Sequence, residues 1–164
     1  MRHEAQEIRL YIYTDAAALN ADRAKVSYML QYMKNGTDAG SRKDHMTVEG
    51  NQKAATLEAM MDAIARISDG NEIPVLIICH CPGVIQAINQ HQYLGWLRNG
   101  WKNSRGLEIE HADKWERVIK LFRQKTKQYE TGAFCVYASA PSDQDAGIMD
   151  ELGAGSFEAH TNLA

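Results

Sequence analysis

Ile73-Pro74-Val75-Leu76-Ile77-Ile78-Cys79-His80-Cys81-Pro82-Gly83-Val84 is the stretch that decides the fold. From Ile73 to Cys79 it is almost unbroken in apolar character and lacks the polar alternation of a half-exposed strand. A strand of that kind is covered on both faces, as in a sheet with helices on each side. The residues from Val84 to Tyr93 then read as a helix. The stretch is therefore a strand-to-helix unit in the interior of an α/β domain.

Working upstream, Leu57, Met60, Met61, Ile64 and Ile67 recur at helical spacing and make one apolar face. Gly50-Asn51 marks where the period changes, and Ser68-Asp69-Gly70-Asn71 closes the helix with turn chemistry. Three strands precede it. Ile8, Leu10 and Ile12 alternate through Tyr13. Lys25 to Met33 is rich in β-branched and aromatic residues. Asn35-Gly36 is a hairpin signal, and after the polar run Gly40 to Asp44 a short third strand is expected near His45 to Val48. Downstream, Val84 to Tyr93 and Leu94 to Asn103 read as helices with a break between them. Ala112 to Tyr129 is a longer helix with Trp115, Val118, Ile119 and Phe122 on one face. Phe134 to Tyr137 is a last strand, and Asp143 to Leu152 a final helix. The order is three strands, a helix, a strand, helices, a strand and a helix. It predicts a five-stranded mixed sheet, three antiparallel strands followed by parallel ones, flanked by helices. Residues 1–152 form one domain on this reading, and 153–164 a small, polar, flexible tail.

The bulk composition suits such a domain. The chain has 164 residues, 45% hydrophobic and 24% charged, enough for a core without staples. A net charge of -3 argues against a strongly basic, sequence-independent nucleic-acid binder, although a local basic patch can sit on an acidic protein. No apolar run approaches a membrane span, and the polar start Met1-Arg2-His3-Glu4-Ala5 has no signal-peptide core. The expected setting is a reduced cytoplasm, without a membrane.

Three cysteines, Cys79, Cys81 and Cys135, define no disulfide framework. Cys79-His80-Cys81 hints at zinc, but on a strand the two thiols face away from the imidazole. They read better as small buried hydrophobes. Asp15 at a strand end either caps a turn or serves a site. Glu58 lies beside the apolar stripe of its helix.

The element order, together with particular residues, resembles the type 1 ribonuclease H family over about residues 8 to 152. Tyr13-Thr14-Asp15 is similar to the family's strand-ending Thr-Asp, and Glu58 in Ala55-Thr56-Leu57-Glu58-Ala59 to its helical acid. Gly95-Trp96 through Gly100-Trp101-Lys102-Asn103, then Ala112-Asp113-Lys114-Trp115, resemble the motifs that bracket the family's basic protrusion. Met149-Asp150-Glu151-Leu152 resembles its closing Cys-Asp-Glu-Leu.

The resemblance implies cleavage of the RNA strand of an RNA–DNA hybrid with two Mg²⁺ ions, or Mn²⁺, roughly 4 Å apart on four carboxylates. Asp15, Glu58 and Asp150 stand at three of those positions and are the implied metal ligands. The fourth falls on His80, which makes a modified catalytic set of Asp15, Glu58, His80 and Asp150. Imidazole nitrogen suits Mg²⁺ poorly. Other departures accompany it. Asp15-Ala16-Ala17 replaces the family's Asp-Gly-Ser, and Ala54 and Pro82 replace polar hybrid-reading groups. The protrusion reads Arg105-Gly106-Leu107-Glu108-Ile109-Glu110-His111 instead of being lysine-rich. The family's flexible-loop His is missing near Ser139 and Ala140. Asn20, Arg98, Lys102 and Arg105 are the residues left to contact a nucleic-acid substrate. The expectation is a relative with weak or lost cleavage, kept as a nucleic-acid- or protein-binding module. The alternative is an active endonuclease with the modified site. Trp96, Trp101 and Trp115 are read as structural.

Overall fold

The computed structural model describes residues 5–15 and 23–154. Strands β1 (Gln6–Asp15), β2 (Arg23–Lys34) and β3 (Thr37–Glu49) are antiparallel neighbours. They are followed by α1 (Gln52–Ile64), β4 (Val75–Ile78), α2 (Pro82–Asn89), α3 (Gln92–Arg98), α4 (Ala112–Lys125), β5 (Val136–Ser139) and α5 (Ala146–Ala154). The sheet order is β3-β2-β1-β4-β5, with β4 parallel to both β1 and β5. The expected five-stranded mixed sheet is present.

Alternation along β1 sets the two layers. Ile8, Leu10 and Ile12 point into the larger core, where Leu57, Met60 and Ile64 of α1 and Val118, Ile119 and Phe122 of α4 meet them. Tyr11 points the other way, into a smaller core with Met29, Ile78, Met149 and Leu152 beneath α5. Trp115 is buried and packs edge-on against Trp96 with centroids 5.3 Å apart, so these tryptophans hold α3 to α4 as expected. No helix among the described residues is long and apolar enough to cross a membrane.

Several boundaries differ from the sequence reading, each for a local reason. Asn35 and Gly36, with φ of 53° and 79°, make the hairpin turn, and pairing starts at once from Thr37. β3 is thus far longer than His45 to Val48; its first half is an exposed edge, so no hydrophobic alternation marks it. The predicted helix to Asn103 ends at Arg98, and Gly100 and Trp101 at φ of 66° and 65° turn the chain into the protrusion. The helix expected to reach Tyr129 stops at Lys125. Beyond it the Thr126 hydroxyl donates to the Phe122 carbonyl, and Gln128 pairs with Phe134 as an isolated bridge. β5 therefore starts at Val136 rather than Phe134. The last helix opens with a 3-10 turn, Asp143–Asp145, capped by Ser142, and runs to Ala154, two residues beyond the expected boundary. The rest of the expected tail lies outside the described residues.

Candidate active site

The C-terminal ends of β1 and β4 lie side by side, so the site is built there. The parallel register pairs Ile8 with Val75 and Tyr11 with Ile78. Carried forward, it sets Tyr13 beside His80, and the two rings meet edge-on with centroids 6.5 Å apart. Gln52, in the first turn of α1, donates to the Thr14 hydroxyl at 2.9 Å and fixes the start of that helix against the end of β1. Asn51 caps α1 by accepting from the Ala54 amide at 3.0 Å.

Asp15 is the last residue of β1 and stands opposite Lys25 in the antiparallel register. Both line a cavity of about 110 Å³ with Tyr13, Ser27, Leu152 and Gly153. Directly opposed residues of an antiparallel pair bring their Cβ atoms to within about 5 Å, so Lys25 stands beside Asp15 on the same strand face.

α5 closes this end from the outer face. A Cβ on Gly153 would fall 2.8 Å from the Tyr13 ring, so the helix backbone rests directly on that tyrosine. Asp150 is exposed and one turn before Gly153 and Ala154, on the same side of the helix. Its neighbour Glu151 takes a hydrogen bond from Lys43 of β3. The sheet end thus gathers Asp15 and His80 around Tyr13, with Asp150 one helical turn away.

Glu58 is placed differently. It stands six residues after Gln52, which turns it about 240° from the face that touches Thr14; Thr56, buried, shares that face instead. The Glu58 carboxylate accepts from the Lys114 ammonium at 2.5 Å, with the Arg117 guanidinium at 3.6 Å, both on α4. It belongs to the α1–α4 seam.

His80 is exposed, whereas Cys79 and Cys81 are 1% and 5% exposed and face the larger core. Burial pushes the Cys79 thiol up to about 11, so it stays protonated and is a poor metal ligand. The opposition of thiols and imidazole expected from the sequence holds. Among the described residues no group of three or more His, Cys, Asp or Glu side chains could hold a metal ion. The donor set does not suit a pair of hard divalent ions. Of the four positions, Glu58 is paired with two cations, Asp15 has a lysine across the strand pair, Asp150 is exposed on α5, and the fourth is an imidazole.

Of the substrate-contact candidates, Asn20 lies outside the described residues. Arg98 ends α3, and Lys102 and Arg105 are in the protrusion; all three are exposed. The protrusion is a small hairpin. Lys102 pairs with Glu108, and the Asn103 side chain accepts from the Arg105 and Leu107 amides at 2.9 and 3.1 Å. Glu110 reaches back to Lys53 of α1 at 3.1 Å. The sequence reading missed Tyr13, Lys25, Lys114 and Arg117. The 13–15 spacing could have shown that Tyr13 shares a strand face with Asp15. The lysines lie on separate elements and leave no local signal.

No family model matches the chain. Two curated relatives, each named ribonuclease H, come from Chlorobaculum parvum and Syntrophomonas wolfei. The first is 28% identical over 119 residues, 70% of this chain and 75% of the relative. The second is 25% identical over 122 residues, 74% of this chain and 80% of the relative. Among solved structures, LC9-RNase H1, a type 1 enzyme with the type 2 active-site motif, superposes with a TM-score of 0.61 at 10% identity. That match covers 92% of this chain and 70% of LC9-RNase H1. LC11-RNase H1 in complex with an RNA/DNA hybrid has a TM-score of 0.53 at 8% identity, covering 88% and 92%. The strand order and the solved neighbours agree on a ribonuclease H-like fold, and the chain is similar over about 70% of its length to relatives named ribonuclease H.

Proposed function

We propose that this chain is a divergent ribonuclease H relative in which hybrid cleavage is weak or lost and the scaffold serves as a nucleic-acid-binding module. The observation that carries this reading is the fate of Glu58. Its carboxylate is held by Lys114 and Arg117 of α4. Freeing it for a metal would leave two cations of α4 without their counter-ion. His80 adds to this, because it supplies nitrogen where hard ions take oxygen and repels them when protonated. Lys25 opposite Asp15 acts in the same direction. Nucleic acid is the favoured partner because LC11-RNase H1 was captured with an RNA/DNA hybrid. Arg98, Lys102 and Arg105 are exposed to contact phosphates. Glu108 and Glu110 in the same protrusion lower that affinity.

A second reading is an active endonuclease using Mg²⁺ or Mn²⁺ at Asp15, Glu58, His80 and Asp150. The ribonuclease H names of the relatives favour it. His80→Asp separates the two. On the first reading this change leaves hybrid cleavage at background, while fluorescence anisotropy still registers salt-sensitive binding of the uncut hybrid. Strong rescue of cleavage by that one substitution would overturn it.

A further inference from the structure

At the end of the sheet remote from Asp15, the inner face carries a groove of about 470 Å³. Ile8, at the other end of β1, is one of its walls, which puts the groove about 20 Å from the site. The volume falls in the usual range for small-molecule sites. Its origin is topological. α1 ends at Ile64, whereas β2 and β3 continue as a ribbon to the Asn35-Gly36 turn. The last inward residues of β2, Leu30 and Tyr32, therefore reach past the helix that covers the rest of the face. With Ile8, Ile67 and Ile73 they give the groove an apolar floor.

The walls are fixed. The Asn71 side chain donates to the Ile73 carbonyl at 2.9 Å and accepts from the Ile73 amide at 3.2 Å. The Gly70 amide donates to the Gln124 carbonyl at 3.0 Å. Across from Tyr32 stands Gly40, and the space where its side chain would be is open. Two guanidinium groups border the apolar floor. Arg66 is committed: it donates to the Tyr28 hydroxyl at 3.0 Å and pairs with Asp44 and Asp62 at 3.4 and 3.5 Å. Arg42, opposite Leu30 in the β2–β3 register, is exposed, and no carboxylate among the described residues pairs with it.

An apolar trough with a rigid wall and one uncommitted guanidinium at its lip complements an apolar body carrying one negative head. A nucleic-acid backbone suits it poorly, since a single uncommitted cation beside an apolar floor offers no track for successive phosphates. We propose that this groove binds a small amphiphilic carboxylate, with its tail on Ile67 and Ile73 and its head on Arg42. Arginine is suited to that head because its planar fork matches a carboxylate.

Decanoate and 1-decanol, each titrated below its aggregation concentration and followed by the backbone amide resonances of Gly40, Arg42 and Ile73, test this. Decanoate is expected to saturate those shifts, and decanol to bind about tenfold more weakly for want of the ion pair. Arg42→Ala should reduce decanoate to the level of decanol. Ser68→Trp, at an exposed residue of the rim, should remove both by filling the groove. Equal affinity for decanoate and decanol, absence of saturation, or binding that survives Ser68→Trp would each overturn the proposal.

Discussion

Asp15 and Glu58 are carried by elements that touch, yet their surroundings differ. Asp15 sits at the open end of β1, in a small cavity that also holds Tyr13 and Lys25. Glu58 lies in the seam between α1 and α4, with side-chain exposure of 28% against 18% for its partner Lys114. One carboxylate faces a space that a ligand could enter; the other is part of the packing. The difference teaches that two acids named by one motif can stand in unlike surroundings, because a helix residue shifted by one or two positions changes the face it serves.

The comparison is easiest to break at the Asp15 end, where α5 rests on Tyr13. Gly153→Leu is expected to destabilise the protein by about 2 kcal/mol, since any Cβ there enters the Tyr13 ring and lifts α5 off the sheet. Tyr13→Ala in the same chain should recover part of that loss, measured by denaturant midpoints at constant slope.

A smaller effect distinguishes the two acids directly. Glu58→Gln should cost about 1 kcal/mol by leaving Lys114 without a full charge partner, a value reduced by partial exposure. Were Glu58 part of an acidic cluster with Asp15, neutralising it would raise the thermal midpoint instead.

Asp15→Asn is expected to lower stability by only about 0.5 kcal/mol, as for a cross-strand charge pair with Lys25. A rise in stability would mean that carboxylate repulsion, not the lysine, dominates that cavity.

The least effect is expected in the protrusion. Lys53 holds the Glu110 carboxyl below its ordinary value of 4.5. A lowered carboxyl contributes above its unfolded value and loses that contribution as pH falls through the folded one. Glu110→Gln should therefore lower stability slightly near neutrality, by an amount that does not vary with pH there, and the difference should vanish as pH falls below about 4.5. A loss that grows as pH falls below about 4.5, or a difference that changes with pH near neutrality, would contradict the assignment.

Much of the fold was legible because its elements carry periodic apolar patterns. The run from Ile73 to Cys79 set the central parallel strand, the spacing of Leu57, Met60, Met61 and Ile64 set α1, and Asn35-Gly36 set the turn. β3 was underestimated because an exposed edge strand is stabilised by its backbone ladder, which side-chain pattern does not record. The site was legible in part. That Asp15 and His80 end neighbouring strands follows from the strand order. That Glu58 turns toward Lys114 depends on where α1 begins relative to β1. Asn51 and Gln52 fix that start through contacts which no local spacing encodes. Lys25 was hidden for a similar reason: its pairing with Asp15 depends on the register between two strands, not on either alone.

Cleavage of a labelled RNA–DNA hybrid by the purified protein, with Mg²⁺ and Mn²⁺ titrated separately and Asp15→Asn as the control, tests the central claim most directly. The account predicts that neither metal brings cleavage appreciably above the Asp15→Asn level while the protein remains folded by circular dichroism. Robust cleavage that disappears in Asp15→Asn would contradict it and establish a working nuclease with a histidine in its site.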